Sequence, residues 1–172
     1  MPLLLGSRRR PHLVSVGSMS EQTNITVSRT IDVSAKDVFE VLTLPDNHVA
    51  IDGSGFVQSV DHGDRITETG QVFTMNMSGD HMGGDYQTDN HVTGYAKDKL
   101  VAWQTAPAGT DPKGWEWVWE LTPQGPDSTE VRLTYDWGKV TDTELLKKVS
   151  FPLVEEEQLE TSLGNLAAAA TG

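Results

Sequence analysis

A chain of 172 residues, 37% of them hydrophobic, is long enough for one domain with a substantial core, and none of its apolar runs approaches the roughly 20 residues that span a bilayer. Its formal charge of -12 repels phosphate backbones and anionic lipid surfaces, which argues against nucleic-acid partners and leaves solubility, or a neutral or cationic small ligand, as its meaning. The absence of cysteine removes disulfides, thiolate nucleophiles and Cys-ligated zinc or iron-sulfur sites, and fits a reducing, cytoplasmic setting.

Residues 1–22 stand apart from the rest. Leu3, Leu4 and Leu5 precede Arg8, Arg9 and Arg10, the reverse of the order in a secretory signal, so the stretch reads as a disordered leader or a mis-set start, with Met19 as the alternative beginning. Residues 23–172 read as a single domain. From Asn24, Ile25, Val27 and Ile31 alternate with polar residues and predict a strand with one apolar face. Ser34, three residues before Asp37, marks a helix start; Val38, Val41 and Leu42 follow at helical spacing, and Pro45 ends the helix near Leu44. Residues 46–50 predict a second short helical turn.

Strands are predicted next over residues 56–61, 72–77, 86–95 and 100–105, separated by turn-forming stretches and therefore joined as an antiparallel meander. Trp115, Trp117 and Trp119 alternate, with Leu121 extending the row, so all three indoles project from one side of a strand. Val131, Leu133, Tyr135 and Trp137 alternate again beyond the Pro-Gln-Gly-Pro-Asp stretch, giving a hairpin with a broad aromatic face. Thr141 with Glu144 predicts a capping box for a helix that Phe151 and Pro152 interrupt. From Glu155 a long terminal helix carries Leu159, Leu163 and Leu166 on one stripe, with carboxylates at its start where they suit the helix dipole.

A sheet with one apolar face and a single long amphipathic helix buries both by curling around the helix. The expected class is therefore α+β, a helix-grip with about six or seven curved antiparallel strands and one or two short helices after strand 1. The phrases ITVSRTIDVSAKDVFEVLT, VFTMNM, YQTDNHVTGY, VAWQT, GWEWVWEL, VRLTYDW and FPLVEEEQLETSLGNLAAAA resemble the START-like superfamily, in particular its actinobacterial polyketide cyclase/dehydrase-like (SRPBCC) branch. The resemblance covers about residues 24–169 and carries no catalytic signature. It implies an apolar cavity between the sheet and the terminal helix, on a scaffold used for transport, sensing, cyclisation and co-chaperone roles alike. It is also compatible with a homodimer.

The candidate cavity walls are the row Trp115, Trp117 and Trp119, the row Phe73, Met75 and Met77, and Trp103, Tyr135 and Phe151. Indoles combine large apolar area with one N–H donor, and methionine adapts to irregular shapes; each of these residues also has an ordinary core reading. Two histidines carry the enzymatic reading. His48 lies four residues before Asp52, which would orient its imidazole as a general base if the stretch is helical, and His91 sits on the long polar strand. His62 and His81 are read as loop or turn residues. No spacing of His, Asp or Glu supports a metal site, no glycine-rich loop cradles a phosphate, and no cofactor is indicated. The leading expectation is binding or carriage of a small hydrophobic molecule, lipid or polyketide-like. The alternatives are a cyclase or dehydratase using a cavity histidine, and a co-chaperone-like interaction module.

Overall fold

The computed structural model describes residues 22–172, so the expected leader lies outside the described residues apart from Gln22. Seven strands form one antiparallel sheet: β1 (Asn24–Ile31), β2 (Val57–His62), β3 (Val72–Gly79), β4 (Gly84–Ala96), β5 (Leu100–Pro107), β6 (Glu116–Gly125) and β7 (Ser128–Asp136). Their order across the sheet is β1-β7-β6-β5-β4-β3-β2. The last six strands meander in sequence, and β1 closes on β7 with Val27 opposite Leu133. Register shifts between Val92 and Gly94 and along β2 bend the sheet, as bulges do.

Two helices link β1 to β2. The Ser34 hydroxyl accepts from the Asp37 amide at 3.2 Å, starting α1 (Ala35–Leu42), which buries Val38, Phe39 and Leu42. A 3-10 turn (Pro45–Asn47) leads directly into the single turn of α2 (His48–Ile51), in agreement with the expected helical turn. The terminal helix α4 (Glu156–Thr171) crosses the concave face of the sheet. Leu159, Leu163 and Leu166 are almost wholly buried against the apolar residues of β1 and β7 and against Val38 and Leu42. This is the helix-grip arrangement. Among the described residues no helix is long and apolar enough to cross a membrane.

Three local expectations are corrected. The cap of α3 (Thr143–Lys148) is Asp142, not Thr141: its carboxylate accepts from the amides of Glu144 and Leu145 at 3.0 and 3.1 Å and lies 3.6 Å from the Lys113 ammonium. That helix ends at Lys148, where Val149 turns extended, before Pro152 is reached. Strand β6 runs on through Pro123 to Gly125, leaving Pro126 and Asp127 as the turn. A register shift between Pro123 and Gly125 accommodates a proline that can donate no ladder hydrogen bond.

The loop from α2 to β2 approaches α4 closely at Gly53. Its amide donates to the Ser162 hydroxyl at 2.9 Å, and a Cβ at this position would collide with the Gln158 carbonyl oxygen. Asp52 organises the same loop, its two oxygens accepting from the amides of Ser54, Gly55 and Val57 and from the Ser54 hydroxyl.

Candidate functional site

Because residues alternate on every strand, one phase of each faces the helix. On β3 that phase is Phe73, Met75 and Met77; on β5 it includes Trp103; on β6 it is Trp117 and Trp119, with Trp115 just before the strand; on β7 it is Leu133 and Tyr135. All of these line a cavity of about 210 Å3 between the sheet and α4, with Phe151 contributing from the segment that precedes α4. The structure thus brings together every residue the sequence marked as a cavity wall.

The three indoles are not equivalent. Trp119 is 4% exposed and belongs to the core, whereas Trp115 and Trp117 are only half-buried. Trp117 lies flat against Tyr135, with ring centroids 4.2 Å apart and planes 6° from parallel; Trp115 packs against Phe151 at 6.0 Å. Burial pushes the Tyr135 phenol above its ordinary value, so it stays un-ionised.

His48 lies in the cavity wall and is 7% exposed. Its Nε2 is 2.7 Å from the Leu42 carbonyl oxygen, which can only accept, so Nε2 carries the hydrogen and Nδ1 keeps its lone pair. Its ring stands edge to face with Trp103 at 5.0 Å and lies 5.9 Å from Trp119. Burial lowers its pKa, and the bond to Leu42 and the distant charge of Asp52 only partly offset this, so the imidazole is neutral near pH 7. The expected pairing with Asp52 is corrected here: the orienting group is the end of α1, because Asp52 is committed to its own loop.

His91 falls on the other face. Asn90 takes the inward position on β4, donating to the Phe73 carbonyl and accepting from Thr105, and alternation turns His91 to the convex side, where its Nε2 is buried without a partner. His91 is therefore removed from the cavity candidates. His62 ends β2 and contacts Asp61 and Thr74, while His81 occupies the 3-10 turn (Asp80–Met82) between β3 and β4. From that turn His81 packs on Phe56 at 4.7 Å and meets the Tyr86 hydroxyl at 3.3 Å, so it joins the lining beside Met82.

Sequence reasoning missed the polar part of the wall: Tyr86, Thr88, Asn90, Thr105 and Ser162. Strand β4 is polar on both faces, so alternation of apolar residues could not reveal its phase. The one available signal was register, since β4 pairs Asn90 with Phe73, whose apolar row was legible.

No protein-family model matches the sequence, and no curated protein matches it. Solved structures do. A START superfamily protein from Mycobacterium smegmatis is 14% identical with a TM-score of 0.59, over 87% of this chain and 98% of that one. The Zhui aromatase/cyclase from Streptomyces sp. R1128 is 16% identical with a TM-score of 0.59, over 86% and 93%. The Aha1 dimer from Colwellia psychrerythraea is 22% identical with a TM-score of 0.53, over 87% and 96%. Likeness at these identities concerns the backbone and not the chemistry. With seven curved antiparallel strands gripping a C-terminal helix over a cavity, the chain has the START-like helix-grip fold.

Proposed function

We propose that the protein binds or carries a small hydrophobic molecule in the cavity between the sheet and α4. The observation that carries this reading is the cavity itself, about 210 Å3 walled by tryptophan, phenylalanine and methionine side chains that a filled core would have brought into contact. Each 100 Å2 of apolar ligand surface buried there contributes about 2.5 kcal/mol before ordering costs are subtracted. Met75 and Met77 suit a guest of irregular shape. The test is the emission of 6-propionyl-2-dimethylaminonaphthalene (Prodan), a neutral dye of two fused rings, on titration with the protein. Its fluorescence should rise with the wild type and stay low with Met75→Trp, which fills the cavity from the β3 wall. A flat response from folded wild-type protein would sink the proposal.

A second reading has one observation in its favour. His48 is a neutral imidazole held in one tautomer at the wall, the state a general base requires, so the cavity also suits a cyclase or dehydratase in which His48 Nδ1 takes a proton from a bound polyketide-like chain. Turnover lost in His48→Phe with substrate affinity retained would support it. A dimeric assembly fits either reading, as the Aha1 neighbour is a dimer.

A further inference from the structure

Several polar groups around the cavity are already paired within the protein. Histidines aside, Asp52 is the one acidic or basic residue in the lining, and both its oxygens are occupied by loop donors; no lysine or arginine lines the cavity among the described residues. Asn90 and Thr105 bond to each other, and Ser162 bonds to the Gln158 carbonyl and the Gly53 amide. The Thr88 hydroxyl and the Trp119 indole N–H are sealed by packing, beyond a ligand's reach.

His48 differs from all of these. Its Nε2 hydrogen is given to Leu42, which leaves a lone pair on Nδ1. That nitrogen has no hydrogen-bond partner among the described residues, and His48 forms part of the cavity wall. Trp103 and Trp119 flank the same ring. The wall therefore offers an acceptor set among aromatic faces, with no cation near it.

We infer that the cavity selects neutral, apolar molecules that present a hydroxyl or N–H hydrogen to His48 Nδ1, and that it discriminates against carboxylates and phosphates. An ionised carboxylate has no hydrogen to give, and it would bring a charge into an apolar space with no counter-ion. A hydroxyl pairs the acceptor and leaves nothing unsatisfied. Since a dry cavity of about 150 Å3 holds one benzene ring, the space here suits a guest of about two fused rings. The inference rests on the cavity being a ligand site, as proposed above.

The test uses three probes of nearly one shape, 2-naphthol, 2-methoxynaphthalene and 2-naphthoate, in equilibrium dialysis against the full chain at about pH 7.5. The expected result is 2-naphthol bound at least about fivefold more tightly than 2-methoxynaphthalene, the yield of one net hydrogen bond, with 2-naphthoate weakest. In His48→Phe the two neutral probes should converge, while His48→Gln, which keeps an N–H for Leu42 and an acceptor oxygen, should retain part of the preference. If the Phe variant does not fold, the wild-type ranking and the Gln variant decide. Equal affinity for the two neutral probes, or naphthoate binding best, overturns the inference and leaves ligand binding standing. Failure of all three with Prodan still bound overturns this inference alone; failure with Prodan also silent overturns both.

Discussion

At the scale of one residue, His48 ties stability to pH. Its folded pKa lies below the ordinary histidine value of 6.5, chiefly through burial, so below that value the unfolded chain binds a proton that the folded chain refuses. The stability associated with neutral His48 is thus fully present above about pH 6.5 and is lost as pH falls from there through the lowered folded value. Asp89, whose carboxylate is held down first by the Gly109 amide and then by Thr74, acts in the same direction but only below its ordinary 3.8. Thermal melts at about pH 7.5 and pH 5 should therefore show a larger fall in Tm for the wild type than for His48→Phe. An equal fall in both would remove His48 from the account. His48 is also the clearest case of partial legibility. Its place beside the cavity could be read from chain order, but its partner could not, because Leu42 and His48 come together only when the 3-10 turn folds His48 back against the end of α1.

At the scale of elements, the grip depends on how closely the α2–β2 loop approaches α4. Gly53 has no room for a Cβ, since the obstacle is the Gln158 carbonyl in the backbone of a helix and cannot swing aside as a side chain would. Gly53→Ala should therefore destabilise by about 1–3 kcal/mol, the usual range for overpacking, read as a lower urea midpoint at unchanged slope. A neutral outcome would mean that the loop moves away freely. The elements themselves were largely legible, because alternation, the Ser34 cap and the leucine stripe of α4 are local signals. The errors fell where two similar residues compete: Asp142 caps α3 in place of Thr141, and β6 outlasts its proline because a bulge absorbs it. The long polar strand β4 could be placed but not phased, and with it went the error over His91.

For the whole molecule, curvature divides one aromatic row between two duties. Trp119 is sealed in the core with His48 of α2 beside it, while Trp115 and Trp117 are half-buried and lie toward the cavity and Phe151. Trp119→Ala should cost about 3–5 kcal/mol, as expected for a fully buried aromatic, whereas Trp115→Ala should cost less stability and weaken Prodan binding more. Denaturant melts and dye titrations on the same two variants check this, and equal effects on both quantities would contradict the division. Alternation within strands, helix caps and element order were enough by themselves to determine the fold class and the common face of the three indoles, because each depends on neighbours in sequence. Only the tertiary structure decided which indole is sealed, which histidine reaches the cavity and how much space remains there, because depth depends on sheet curvature and on where α4 comes to rest, both set by contacts between residues far apart in the chain.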